Sequence, residues 1–139
     1  MASILKVDEL RGIASAGDIT ITSEGGSATQ SLQQGLAKAW GYLNGDNTTF
    51  YDSFGISSAS DEGTGDTNFT LSNAMSSTNY AVTGAAGQTS DNEYATNFCA
   101  NNATRTTTVF QVQTGYAIAS ADAQADRDVV CFNITGDLA

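Results

Sequence analysis

The chain has 139 residues, with fifteen acidic against five basic side chains and no histidine, for a formal net charge of −10. A surface this negative repels phosphate backbones and anionic lipid, which excludes nucleic-acid binding as a reading, and no stretch approaches the ~20 apolar residues that a membrane insertion needs. Charged residues make up only 14% of the chain, against about 25% in ordinary domains, and Thr, Ser, Asn, Gly and Ala fill the gap, a composition that favours strands and turns over helices.

Residues 1–26 read as an extended segment. Its start, Met1 to Asp8, lacks the apolar core of a signal peptide, so synthesis in a reducing cytosol is expected. Ile4, Val7 and Leu10 are three apart, which allows one helical turn. Asp18 to Thr22 alternates polar and apolar, placing Ile19 and Ile21 on one face of a short strand. Ser23-Glu24-Gly25-Gly26 breaks it. These five apolar residues are too few to hold the segment together. They are the candidate attachment residues, docking on the rest of the chain or on another protein.

Residues 27–43 read as an amphipathic helix. Ser27 or Thr29 can cap its start. Leu32, Leu36, Ala39 and Leu43 are spaced four, three and four apart, with Trp40 beside them. The stripe fits either a helix covering a β domain or a short bundle about a symmetry axis. Under two heptads, the bundle needs help from adjoining domains.

Residues 44–139 read as a β-sandwich or jelly-roll-like antiparallel domain. Asn44-Gly45-Asp46-Asn47 is a turn. Strands are expected over 48–56, at Thr67–Leu71 with Phe69 and Leu71 inward, at Asn79–Thr83, at Thr106–Thr114 and at Asp128–Ile134. Loops are expected over 61–66 and 84–92, and a loop or short helix over 117–128; the stretch 92–104 is ambiguous. Six to eight short strands with turns at this spacing are the pattern of a sandwich. The chain has no proline, so Gly, Asn and Asp make its turns.

Enzymatic chemistry finds little to work with. Without histidine there is no Ser/His/Asp or Cys/His arrangement, and Cys99 and Cys131 make no zinc site alone. In a reducing compartment they are expected to be buried thiols rather than a disulfide. Gly84-Ala85-Ala86-Gly87 lacks the Lys-Ser/Thr ending of a phosphate loop. The carboxylates Asp61, Glu62 and Asp66, and likewise Asp122, Asp126 and Asp128, cluster locally, which suits solvated loops better than a glycosidase pair facing across a cleft. The Asp61–Asp66 stretch offers hard oxygens to calcium but not in the spacing of an EF-hand loop. Tyr42, Tyr51, Tyr80, Tyr94 and Tyr116 fit a core, a subunit interface or a receptor or sugar platform. No enzyme activity, cofactor or metal is expected.

Five strings carry a resemblance: Gln33-Gln34-Gly35-Leu36-Ala37-Lys38-Ala39-Trp40, Asn44-Gly45-Asp46-Asn47-Thr48, Asp52-Ser53-Phe54-Gly55-Ile56-Ser57-Ser58, Gly63-Thr64-Gly65-Asp66-Thr67-Asn68-Phe69-Thr70, and Ala74-Met75-Ser76-Ser77-Thr78-Asn79-Tyr80-Ala81-Val82. Their succession resembles a segment of fibre-type (tail-fibre or head-fibre) and other virion structural proteins of tailed bacteriophages, especially marine ones. The opening Ala2-Ser3-Ile4-Leu5-Lys6-Val7-Asp8 is similar to the start of such proteins, and Ser76 stands where the family often has proline. The resemblance implies a homotrimer in the virion, its N-terminal segment bound to other virion proteins through Ile4, Val7, Leu10, Ile19 and Ile21. The trimer axis would run along Leu32, Leu36, Ala39, Trp40 and Leu43. The β domain would face solvent for host attachment, meeting a surface polysaccharide or receptor. The alternative is a capsid decoration protein that stabilises the shell; the third reading is a carbohydrate-binding module or depolymerase.

Overall fold

The computed structural model describes residues 5–11, 19–22, 26, 28–44, 48–88, 95–118 and 121–139. The chain divides into two compact units, Met1–Leu36 and Ala37–Ala139. In the first, β1 (Thr20–Thr22) and β2 (Thr29–Ser31) pair antiparallel, and a single helical turn, α1 (Leu32–Gly35), follows. The Leu32 amide donates to the Ile19 carbonyl at 2.7 Å. Among the described residues of this unit, Leu5, Val7, Leu10, Ile21 and Leu36 are all exposed.

The second unit is an antiparallel β-sandwich. Sheet I has the order β4 (Phe50–Phe54), β3 (Ala39–Asn44), β11 (Val129–Thr135), β7 (Ala81–Gly87). Sheet II is built on the ten-residue strand β9 (Val109–Ile118). One edge of β9 pairs with β8 (Ala95–Asn101). The other pairs first with β6 (Asp66–Leu71) and then with β10 (Ala121–Gln124). Strand β5 (Ile56–Gly63) flanks β6. The inward face of each strand follows from period-two alternation. Thr67, Phe69 and Leu71 are buried along β6, and Val130, Phe132 and Ile134 along β11. The core centres on Phe69. Its ring lies 4.6 Å from that of Phe132, 5.1 Å from Phe110 and 6.2 Å from Phe50.

The amphipathic helix expected over 27–43 is not what forms. Helix ends at Gly35, and Ala39–Asn44 is a strand bonded on both edges. Ala39 and Leu43 satisfy a four-residue helical spacing and a two-residue strand spacing equally. Pairing with β11 and β4 decides for the strand. Gly41 sits inward between them, where a Cβ would come within 2.7 Å of the Phe132 ring and 3.0 Å of the Phe50 ring. The β domain therefore begins at Ala37 rather than at residue 44. Ser31 stands at the N-cap of α1 without a side-chain hydrogen bond, and Thr29 belongs to β2.

Three further expectations change. The loop expected over 84–92 is strand as far as Gly87, the loop or short helix of 117–128 contains β10, and the ambiguous 92–104 stretch holds β8. All three carry few large apolar residues; β7 pairs with β11, distant in sequence, whereas β8 and β10 pair with β9, their neighbour in the chain.

The end of the sandwich near Tyr80 is closed by a polar cluster. The Tyr80 hydroxyl donates to the carbonyls of Thr106 and Val109, at 2.9 and 3.1 Å. Arg105 lies over the Tyr80 ring, 4.9 Å from its centroid, and its Nη1 donates to the Tyr80 carbonyl. Burial pushes the phenol above its ordinary range, and the Arg105 charge offsets this only in part. The sign follows. Below about pH 10 the phenol is protonated in both folded and unfolded chains. Above it the unfolded chain releases the proton first, so stability falls as pH rises. Tyr80→Phe is expected to cost about 1 kcal/mol at pH 7. It should also flatten part of the alkaline decline, as measured by urea unfolding midpoints between pH 8 and pH 11.

Candidate functional site

The outer face of sheet I gathers exposed aromatic rings. Alternation turns Trp40 and Tyr42 of β3 outward, because Ala39, Gly41 and Leu43 face the core. Phe54 of β4 stands opposite Trp40 in the antiparallel register. A register shift between Tyr42 and Leu43 adds one residue to β4, and this brings Tyr51 beside Tyr42 with ring centroids 5.0 Å apart. Such a bulge re-aims side chains on the longer strand. Phe54 and Tyr51 are 58% and 60% exposed, while Tyr42 and Trp40 stand at 41% and 36%. Rings of this size are normally turned inward for their large apolar area.

The rows continue across β11 and β7 into smaller and more polar residues. Trp40 pairs with Asn133, which pairs with Thr83; Tyr42 pairs with Cys131, which pairs with Ala85. A shallow open depression lies over Thr83–Ala85 and Cys131–Asn133. Beside it stand four rings, then an amide and a hydroxyl. Asp52, opposite Tyr42, is the one acidic residue in these rows. The Tyr51 hydroxyl donates to Asn44 Oδ1 at 3.2 Å, which sets the angle of that ring.

The residues proposed for the trimer axis scatter. Ala39 and Leu43 are buried core residues, Trp40 belongs to the aromatic face, and Leu32 and Leu36 lie in the first unit, half-buried and exposed. No common helical stripe runs through them to form an axis, because three of the five, Ala39, Trp40 and Leu43, are strand. Of the attachment residues, Val7, Leu10 and Ile21 are exposed and Ile19 is half-buried; Ile4 lies outside the described residues. Tyr80 is core, Tyr116 is half-buried with Arg127 5.0 Å above its ring, and Tyr94 lies outside the described residues. The thiols are free, as expected, but not buried in the core: Cys99 is exposed on sheet II and Cys131 half-buried on sheet I.

The acidic clusters serve local geometry. Asp61 Oδ1 accepts from the Gly63 amide, Glu62 Oε1 from Ser60 and Asp66 Oδ1 from Gln124. Asp126 Oδ1 accepts from the Gly65 amide at 2.7 Å, tying the second cluster to the β5–β6 turn. Among the described residues no three acidic or cysteine side chains gather around a point.

Searches of family models, of curated proteins and of solved structures returned no match.

The aromatic face was legible only in hindsight. The five tyrosines fit a core, an interface or an exposed platform alike, and a helical reading of 27–43 hides the alternation that turns Trp40 and Tyr42 outward together. Because Tyr51 and Phe54 are well exposed, Tyr51→Ala and Phe54→Ala are each expected to change stability by about 0.5 kcal/mol or less. Thermal unfolding of the two variants checks this.

Proposed function

We propose that this chain is a fibre-type structural subunit of a phage virion. It assembles as a homotrimer, joins the particle through its N-terminal unit and presents the β-sandwich to the host surface. The observation that carries the reading is the division of exposed apolar surface between the units. In the N-terminal unit Leu5, Val7, Leu10, Ile21 and Leu36 are left uncovered, which suits burial against other subunits and virion proteins. Among the described residues of the sandwich, the exposed large apolar side chains are the four rings of the sheet I face, which suits contact with an outside partner. The resemblance of residues 33–82 to virion fibre segments points the same way. Three copies on one particle turn weak contacts into strong attachment through their high effective concentration.

The test is competition. Purified full-length chain, added in excess to host cells, is expected to lower adsorption of the particles that carry it. If adsorption is unchanged, and stripping the chain from particles makes them burst at lower temperature, the decoration role replaces attachment.

A further inference from the structure

We infer that the outer face of sheet I is a binding site for an uncharged glycan chain, with sugar rings stacked on Trp40 and Tyr42 and hydrogen-bonded by Asn133 and Thr83. The inference rests on the attachment reading and supplies the ligand class that it lacks.

Three observations carry it. The first is the chemistry of the face. A sugar ring offers an apolar face of C–H groups and a rim of hydroxyls. A binding site for it needs flat exposed rings with amide and hydroxyl groups close by. Trp40 and Tyr42 are two positions apart on one strand, about 7 Å along it, a distance on the order of successive sugar units. Each is followed across the sheet by a small or polar residue, Asn133 and Cys131 in turn, and then Thr83 and Ala85. The chain would lie over the shallow depression there.

The second is charge. From Ala37 to Ala139 the sequence has eleven acidic and three basic residues. All three cations are drawn away from solvent. Lys38 and Arg127 are buried, and Arg105 is half-buried against Tyr80. A sulfated, phosphorylated or uronate-rich glycan would meet carboxylates and no exposed cation among the described residues of this unit. An uncharged glycan carries no such penalty.

The third observation weighs against a second copy of the chain as occupant. Self-association through this face would bring two anionic sandwiches together, each with its own Asp52 beside Tyr42. Like charges juxtaposed at an interface oppose docking.

Trp40 is the chain's single tryptophan, so its emission reports on the face directly. The experiment titrates the full-length protein with soluble mannan, dextran and a mixed-linkage β-glucan, with alginate as the acidic comparison. The expected result is a blue shift of Trp40 emission with at least one neutral polysaccharide and none with alginate. Tyr42→Ala should weaken that binding about tenfold or more. Single-thiol variants give a second measure. A bulky maleimide on Cys131, in the Cys99→Ser background, should block binding, and one on Cys99, in the Cys131→Ser background, should not. The inference is overturned if no neutral polysaccharide shifts the emission, if alginate binds best, or if neither Tyr42→Ala nor the Cys131 adduct weakens binding. It is also overturned if the emission moves with protein concentration in step with sedimentation, which would mean that a second copy covers the face. If adsorption competition succeeds while every neutral polysaccharide fails, attachment stands and the glycan assignment alone falls.

Discussion

Phe69→Ala is expected to lower the unfolding free energy by about 4 kcal/mol. For a domain of this size that corresponds to a fall in melting temperature on the order of 12 °C. Phe69 is fully buried on the central strand β6, and its ring meets those of Phe50, Phe110 and Phe132 together. Truncation removes its buried apolar area and leaves a cavity between the two sheets. Neither sheet can close the gap, because each is fixed by ladders on both sides of the ring: β6 between β5 and β9, and β11 between β3 and β7. Thermal melts followed by circular dichroism measure the effect. A fall of only a few degrees would show that the sheets approach each other to fill the space, and the core would then be less rigidly set than its ladders imply.

The second large effect is expected at Gly65. This residue sits at φ +74° in the turn between β5 and β6. Its amide donates to Asp126 Oδ1, and its carbonyl accepts from the Thr114 amide, both at 2.7 Å. A Cβ there would press on the Thr114 carbonyl oxygen and lie 2.8 Å from the Ala125 nitrogen. Both obstacles are backbone, so no side-chain rotation relieves them. Left-handed strain and the collision act together, and Gly65→Ala is expected to cost about 3 kcal/mol. Gly87→Ala is the contrast. A Cβ at Gly87 meets only Val129, at an ordinary 3.9 Å. That change should be neutral or stabilising by about 0.5 kcal/mol, since alanine loses less chain entropy. Urea unfolding of the pair separates the specific demand of the turn from the general effect of replacing glycine.

How much of this was legible in the sequence depends on how many large apolar residues each strand carries. Thr67–Leu71 and Val129–Ile134 carry clean alternation of large residues; both read as strands, and in the first Phe69 and Leu71 face inward as expected. Strands β7, β8 and β10 are built mainly from small and polar residues, with Val82 in β7 and Phe98 in β8 as the large apolar exceptions. They carry no hydrophobic alternation strong enough to see. The register of β7 comes from pairing with β11, far along the chain, and that of β8 and β10 from pairing with β9, which lies between them in sequence. Residues 39–44 failed for a different reason. Ala39 and Leu43 fit a helix as well as a strand, and pairing with β11 and β4, with Gly41 fitted under Phe132 and Phe50, decides. The candidate site inherited that error, because an outward pair at Trp40 and Tyr42 exists only if the segment is a strand. The chemical exclusions did not depend on fold. The absence of histidine and the excess of carboxylates hold for any arrangement of the chain.

The position of β3 has a mechanical consequence. The chain leaves the N-terminal unit at Leu36 and three residues later is already in β3, with the Lys38 amide bonded to the Ile134 carbonyl. Strand β3 is laddered to β4 on one edge and β11 on the other. A pull transmitted along the backbone from a tethered N-terminal unit would therefore enter the sandwich at an interior strand. It would load two ladders in shear at once, instead of peeling a single edge strand one hydrogen bond at a time. A subunit held at one end by its particle and at the other by a surface would resist drag best with its tether attached at such a strand.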